Sequence, residues 1–193
     1  MNWITSDHHF GHKNIIAYED RPFTSVQEMD AYMIKRWNET VSPDDTVYHV
    51  GDFALAPKWR IRELVELLHG RIVLILGNHD NNSLTFYNEV MDAVYKELVL
   101  YHDDAWSYGG NSSYLLLTHR PLNRYIHLQG ETPLDQFRVP VMNQLNVAVE
   151  CWDYRPIPLP RPNGWLNIHG HIHRSRVAIG LDMGKFRRIY NED

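Results

Sequence analysis

Residues 71–80, RIVLILGNHD, form an apolar run that ends abruptly in glycine, asparagine, histidine and aspartate. The run is short, continuous and bounded by a turn residue, which is typical of a strand that is buried on both faces of its sheet. In open α/β sheets, ligands collect beyond the carboxyl ends of the strands. The polar residues that follow this run are therefore candidates for a functional site.

The same pattern recurs on both sides of this segment. Each of four further apolar runs ends in residues that carry carboxylate or imidazole groups. These runs are Asn2–Thr5 before Asp7 and His9, Thr46–Val50 before Asp52, Tyr114–Leu117 before His119, and Trp165–Ile168 before His171 and His173. Each ending alone is explained as well by a turn or a surface histidine. Together at one sheet edge they would be costly without a cation, so they predict a metal site.

The spacing of these residues suits metal binding. Asp7 and His9 lie two residues apart, so both side chains point to the same side of a strand end and can bind one ion. His171 and His173 repeat this spacing. Asp52 has two carboxylate oxygens, and a carboxylate can bridge two ions. The donors are nitrogen and oxygen without sulfur, which favours manganese, iron or zinc over a structural thiolate site.

The remaining pattern predicts an α/β domain. Three segments have apolar residues at helical spacing, namely residues 25–37, 57–70 and, more weakly, 84–95. Residues 97–102 and 113–118 flank a glycine-rich turn and predict a hairpin. Strands that alternate with helices early in the chain, followed by a hairpin, predict a layered α/β fold with a mixed sheet. We expect a single domain over residues 1–193.

Composition limits the partners. The chain has 193 residues, a hydrophobic share of 44% and a net charge of −5, with room for one sizeable core. This acidic balance makes long nucleic acid or an anionic membrane an unfavourable partner. No apolar stretch reaches the roughly 18 residues of a membrane span, and we find no secretory signal. With the single cysteine, Cys151, these features predict a soluble, cytoplasmic protein.

Taken in order, the strand endings resemble the motif series of the calcineurin-like metallophosphoesterase superfamily. The matching blocks are Asp7-x-His9, Gly51-Asp52, Gly77-Asn78-His79-Asp80, His119 and Gly170-His171-x-His173. The opening stretch SDHHFGHKNI is similar to the small bacterial and phage branch. The resemblance implies an αββα sandwich of mixed β-sheets flanked by helices, with two divalent ions. It further implies a first ion on Asp7, His9 and His173, a second on Asn78, His119 and His171, and Asp52 as the bridge.

The resemblance also implies an activity, the hydrolysis of phosphoesters by a hydroxide that two metal ions activate. Such ions lie roughly 3.5–4 Å apart and lower the pKa of a water molecule toward neutrality. We expect manganese first, with iron or zinc as alternatives, and a small phosphorylated substrate, with nucleotides as one class. By resemblance, His79 protonates the leaving group or binds the transferring phosphoryl group. His12 and Arg120 are candidates for substrate binding, although a start-of-helix role for His12 stays open.

Two other functions remain as alternatives. One is a nuclease that acts on short oligonucleotides, since the chain has no extended basic stripe for longer ones. The other is a scaffold that keeps the fold and binds metal without catalysis. A scaffold is expected to lose ligands or the histidine after Asn78, and this chain keeps them all.

Two local questions also stay open at this level. Residues 146–156 resemble a segment that we expect after Gly-His-x-His in relatives, but here it precedes that motif. The strand order near the carboxyl terminus is therefore undecided between a rearrangement and an insertion. Asp80 either orients His79 or caps the following turn. His8 and His169 are expected to point away from the site, because adjacent strand residues face opposite sides.

Overall fold

The architecture is seen in a computed structural model that describes residues 2–102, 114–120, 145–148, 153–154, 165–171, 177–181 and 186–188. The helices are α1 (Ile15–Tyr18), α2 (Val26–Thr40), α3 (Lys58–Leu67) and α4 (Leu84–Val90). The strands are β1 (Asn2–Thr5), β2 (Thr46–His49), β3 (Arg71–Ile75), β4 (Ala93–Tyr95), β5 (Leu98–His102), β6 (Tyr114–Thr118), β7 (Leu145–Ala148), β8 (Asp153–Tyr154), β9 (Trp165–His169), β10 (Val177–Leu181) and β11 (Phe186–Arg188).

These strands form two mixed sheets. The first has the order β4-β3-β2-β1-β10-β8, and the second has the order β11-β5-β6-β9-β7. In the first sheet β1 to β4 run parallel, while β10 is antiparallel to β1. In the second sheet β6, β9 and β7 run parallel, while β5 is antiparallel to β6 and to β11. The predicted α/β fold with mixed sheets is confirmed.

The continuous apolar runs reflect burial on both faces of the first sheet. Along β3, Ile72 and Leu74 belong to the core between this sheet and the helices, which also contains Met29 and Trp37. Val73 and Ile75, which alternate with them, belong to a second core. That second core includes Leu100, Leu117 and Ile168 from the other sheet. Each central strand therefore needs apolar residues at successive positions, and the two sheets pack face to face.

All four described helices contribute to the core on the outer face of the first sheet. Helix α2 begins where the sequence predicts, because the Ser25 hydroxyl accepts a hydrogen bond from the Glu28 N–H at 3.2 Å. The expected helical layer over the second sheet lies outside the described residues. Within the described ranges, no helix combines the length and apolar character that crossing a membrane requires. The single-domain organisation stays a prediction.

The third predicted helix is too long. Helix α4 ends at Val90, and β4 follows where residues 93–95 were expected to be helical. The Asp92 carboxylate accepts a hydrogen bond from the Ile72 N–H at 2.6 Å, and the Asp92 N–H donates to the Ile72 carbonyl. These bonds attach the chain to the edge of the first sheet, so tertiary pairing overrides the helical pattern there.

The two sheets show the order of the described strands near the carboxyl terminus. The predicted hairpin is confirmed, since β5 pairs antiparallel with β6. The displaced segment contributes β7, an edge strand that runs parallel to β9, and β8, which pairs with β10 in the first sheet. The last ligand-bearing strand, β9, therefore lies between β6 and β7, and the displaced segment adds edge strands without separating β9 from β6.

Candidate metal centre

The ends of the ligand-bearing strands share an unusual backbone conformation. Among the described residues, five that are not glycine have positive φ: Asp7 (56°), His9 (53°), Asp20 (46°), Asp52 (55°) and His171 (70°). Four of these five are predicted metal ligands. Residues other than glycine rarely adopt this left-handed backbone conformation, and those held in it cluster at functional sites. The surrounding contacts must therefore hold these strand ends in place.

The loops after β1 and β2 hold each other beyond the last strand residue. The Asp7 N–H donates to the Gly51 carbonyl, and the His9 N–H donates to the Asp52 carbonyl, both at 3.0 Å. Phe10 continues this pairing with Phe53. Two predicted ligand loops are thus fixed in register by main-chain bonds.

The glycines of the motifs permit close approach between strand ends. Gly51 has a φ of +95°, and a Cβ atom there would lie 2.5 Å from Nδ1 of His119. A Cβ atom on Gly170 would run into the Ser6 hydroxyl and the Asp7 carboxylate. Only glycine fits where side chains of neighbouring loops approach the main chain this closely. The Gly-Asp and Gly-His pairs are therefore requirements of the converging loops.

Two overlapping groups of side chains could hold metal ions. In each group the ligand atoms lie within 4.8 Å of one another: Asp7, His9 and Asp52 in one, and Asp52, His119 and His171 in the other. Asp52 Oδ2 is common to both, at 3.6 Å from His9 Nε2 and 3.3 Å from His119 Nε2. The other oxygen, Oδ1, accepts a hydrogen bond from the His79 N–H at 2.8 Å. One oxygen of Asp52 is thus anchored while the other faces both groups.

The second group gains a fourth donor. His119 Nε2 lies 3.0 Å from Asn78 Oδ1 and 3.2 Å from His171 Nδ1. His119 Nδ1 lies 2.9 Å from the Val50 carbonyl, and since a carbonyl only accepts, Nδ1 carries the proton. This hydrogen bond leaves the Nε2 lone pair directed toward the group, which is the usual arrangement around a metal-ligating histidine.

The electrostatics of the buried cluster favour a cation. Burial raises the pKa of the Asp7 carboxyl to about 7, against the opposing effects of His119 and of hydrogen bonds from Ser6 and His171. Burial also raises the pKa of Asp52, but the hydrogen bond and charge of His119 and the His79 N–H together hold it below its usual range. For His119, burial lowers the pKa, and the carboxylates of Asp52 and Asp7 raise it above its usual value. Positive charge here is stabilising, and a divalent cation would supply it.

The other predicted residues lie around this cluster. The half-buried His79 ring lies 5.3 Å from the His9 ring and 6.1 Å from the His12 ring, measured between centroids. His12 is itself half-buried, 5.6 Å from His9. Arg120 is exposed beside His119. His173 lies outside the described residues. The structure therefore brings six of the seven predicted ligands together, with His79 and His12 beside them.

Asp80 takes neither of its two predicted roles. Its Oδ2 accepts hydrogen bonds from the N–H groups of Asp52 and Gly77, both at 2.8 Å, and its Oδ1 accepts from Phe53 at 3.0 Å. These three donors belong to the loops after β2 and β3. Asp80 therefore fastens two ligand loops together, and neither the His79 ring nor the following turn is among these partners.

Replacing Asp80 with asparagine should loosen both loops. A carboxamide has one acceptor oxygen, so at least one of the three N–H groups would face its NH₂ group, at a cost of about 1–3 kcal/mol. We expect a lower free energy of unfolding and weaker metal binding, measured by denaturant titration and by dialysis against Mn²⁺. Asp44→Asn, at an exposed position, is the matched control and should change neither. Wild-type metal affinity in Asp80→Asn would contradict this role.

The two histidines expected to point away behave differently from ligands. His8 is buried against Phe10 and Trp37, and its Nδ1 lies 2.8 Å from His49 Nε2. Burial, with the nearby charges, lowers the pKa of His8, so this ring is neutral. His169 Nδ1 bonds the Gly170 carbonyl at 2.8 Å. The predicted orientation of His8 is confirmed, and that of His169 stays a prediction.

One residue beneath the centre was missed by sequence reasoning. The buried guanidinium of Arg21 donates to the carbonyls of Asp7 and His8. A single arginine in a short loop has no periodicity or motif that marks it, so only the folded chain reveals the contact.

The fold and the clusters together define the class: an α/β sandwich whose strand ends carry two adjoining groups of side chains that could hold metal ions. The chain belongs to the calcineurin-like phosphoesterase family, whose family model matches residues 3–186. Members of this family are generally metal-dependent hydrolases of phosphoesters. The resemblance inferred from the five motif blocks is thereby confirmed.

Similar proteins are known from several organisms. The uncharacterized protein MJ1445 of Methanocaldococcus jannaschii is 39% identical over 160 residues, covering 81% of this chain and 86% of that protein. The Gene 66 protein of Mycobacterium phage L5 is 29% identical over 199 residues, covering 93% and 86%. Among solved structures, the protein of unknown function AQ665 from Aquifex aeolicus is 25% identical, with a TM-score of 0.48 and coverage of 70% and 68%.

Proposed function

We propose that this chain hydrolyses phosphoester bonds in a small phosphorylated substrate, with nucleotides as one class, by means of two divalent ions. The observation that carries this proposal is the position of Asp52 Oδ2, which faces His9 Nε2 on one side and His119 Nε2 on the other. A carboxylate that faces two donor groups can bridge two ions.

The ligand assignment follows the two groups. The first ion would be held by Asp7, His9 and, by the family resemblance, His173, which lies outside the described residues. The second would be held by Asn78, His119 and His171, and Asp52 would be shared by both. The donor set of imidazole, carboxylate and carboxamide fits manganese first, with iron or zinc as alternatives. The buried Asp7 carboxyl, with its raised pKa, fits the same assignment because a bound cation would keep it ionised.

The residues around the ions have separate tasks. When bound, the two ions supply an acidified water molecule and neutralise charge on the phosphoryl oxygens. Asp52 stays ionised because its pKa is held below the usual range. His79 is proposed to give a proton to the leaving oxygen or to bind the transferring phosphoryl group, because its half-buried imidazole lies beside the first group. His12 and Arg120 are proposed to contact the substrate phosphate.

The nuclease and the scaffold are less well supported than hydrolysis of a small phosphoester. A nuclease for long polymers would gain nothing from a net charge of −5, which leaves short oligonucleotides as its substrates. A scaffold without catalysis has no need for His79 beside all seven of the predicted ligands that the sequence keeps. We therefore place both behind hydrolysis of a small phosphoester.

Metal removal should separate these functions. We expect Mn²⁺-loaded protein to cleave a chromogenic phosphodiester or phosphomonoester, to lose that activity after chelation and dialysis, and to regain it with added Mn²⁺. A labelled oligonucleotide tested in parallel reports the nuclease alternative. Turnover of the oligonucleotide alone would favour the nuclease, and bound metal without turnover of any of the three substrates would favour the scaffold.

A further inference from the structure

The loop that carries Asp7 and His9 leaves main-chain carbonyls buried below the metal centre. On its N–H side, this loop is paired with the loop after β2. On its carbonyl side, His9 accepts from the His12 N–H at 3.0 Å. The carbonyls of Asp7 and His8 lie outside any strand ladder, because β1 ends at Thr5. Buried carbonyls need hydrogen-bond donors.

Arg21 supplies those donors. Its Nη2 donates to the Asp7 carbonyl and its Nη1 donates to the His8 carbonyl, both at 2.8 Å. The planar guanidinium can serve two adjacent acceptors at once, which a lysine ammonium cannot do with the same geometry. These contacts reach the main chain of Asp7, while the Asp7 carboxylate accepts from the His171 N–H at 2.9 Å. Arg21 thus holds the residue and leaves its carboxylate directed at the metal groups.

Arg21 is itself fixed on two sides. Its residue is 6% exposed, and Nη1 lies 3.3 Å from the Met29 Sδ of helix α2, so the charge is kept in place by the core of the protein. The preceding residue, Asp20, also has positive φ, and among the five described non-glycine residues with positive φ it is the one that is not a predicted ligand. This turn follows α1, and the Arg21 N–H then donates to the Ile16 carbonyl at 2.8 Å. The chain therefore adopts a strained turn at the point where it directs Arg21 inward.

We propose that Arg21 is a positioning residue for the first ion: it holds the left-handed loop so that Asp7 and His9 are arranged for a divalent cation before that cation binds. This inference rests on the two-ion assignment proposed above. It concerns the first ion more than the second, because the loop that Arg21 holds carries Asp7 and His9. The donors of the second group lie on other loops, namely Asn78, His119 and His171. Arg21 bonds main-chain carbonyls of the loop and is not one of the proposed ligands.

The test compares Mn²⁺ binding by the wild type, Arg21→Met and Arg21→Lys. Binding is measured by equilibrium titration and by electron paramagnetic resonance. In wild-type protein we expect two ions and the exchange-coupled spectrum of a pair. In Arg21→Met we expect the second ion to be retained, while the affinity for the first ion falls about 10- to 100-fold, as for other residues that orient ligands. At one equivalent of excess Mn²⁺, the spectrum should then be that of a single uncoupled ion. Arg21→Lys, which keeps the charge and one donor, should fall between the two.

Two controls make the outcome decisive. Arg71→Met removes an arginine that donates to the Thr46 hydroxyl at the opposite end of the strands, and it should bind two ions as the wild type does. His9→Ala removes a first-ion ligand and supplies the reference spectrum of the single-ion state. Circular dichroism establishes which variants are folded, and Arg21→Lys carries the test if Arg21→Met does not fold.

The possible failures are distinguishable. Wild-type protein that binds fewer than two Mn²⁺ ions would overturn the proposed two-ion function, and the role of Arg21 with it. Wild-type protein that binds two ions, beside a folded Arg21 variant with both affinities unchanged, would overturn the role of Arg21 alone. Equal weakening of both ions would also overturn it, because a general loss of stability does not select one ion.

Discussion

Asp52→Asn is expected to lose bound metal and about a thousandfold in turnover. The two carboxylate oxygens of Asp52 have different tasks: Oδ1 accepts from the His79 N–H, and Oδ2 faces both His9 and His119. A carboxamide cannot perform both. If its oxygen keeps the bond to His79, its NH₂ group points at the ions; if the oxygen faces the ions, the NH₂ group opposes the His79 N–H. A two-ion centre lowers the activation barrier by several kcal/mol, and losing that stabilisation corresponds to this loss of rate.

The measurements are metal content by mass spectrometry and kcat on a chromogenic phosphodiester. Asp45→Asn is the matched control, because Asp45 is also buried and hydrogen-bonded, to Trp3 Nε1 and the Ser42 N–H, but lies before β2 at the other end of the strand. It should cost stability and keep both ions. Two tightly bound ions with wild-type turnover in Asp52→Asn would show that Asp52 is not the bridge.

The predictable part of this centre is the part that strand physics dictates. A strand buried on both faces must be apolar at successive positions, so the change from Ile75 to Gly77 and Asn78 marks its end in the sequence itself. Parallel strands then bring such ends to one edge. This is why the six candidate ligands that the structure brings together could be named from the sequence, together with the orientation of His8 away from them.

The unpredicted part consists of main-chain contacts, which leave no periodic trace. Asp80 was expected to orient His79 or to cap a turn, yet it binds three N–H groups of two loops. Arg21 was not singled out, although it holds the carbonyls of Asp7 and His8. Helix α4 was predicted to continue to residue 95 because local spacing does not reveal that Asp92 joins the edge of the sheet. In each case at least one partner lies 13 or more residues away along the chain.

His79→Ala is expected to keep both ions and to lose activity in proportion to the basicity of the leaving group. His79 is not a member of either donor group, and its ring centroid lies 5.3 Å from that of His9 and 6.1 Å from that of His12. If it protonates the departing oxygen, a poor leaving group such as an alkoxide should be slowed about a hundred- to ten-thousandfold. A dinitrophenolate leaves without a proton, so its hydrolysis should change little.

This dependence on the leaving group separates the two roles proposed for His79. A histidine that only binds the transferring phosphoryl group stabilises the same charge whatever departs, so its removal would slow good and poor leaving groups by one common factor. A series of aryl and alkyl diesters, each measured with equal Mn²⁺ content, gives the slope of log kcat against leaving-group pKa. His69→Ala, at an exposed histidine whose Nδ1 bonds the Val41 carbonyl, should leave the wild-type slope unchanged. Full turnover of the alkyl substrate by metal-loaded His79→Ala would exclude the acid role, whereas a steeper slope would establish that the proton comes from this imidazole.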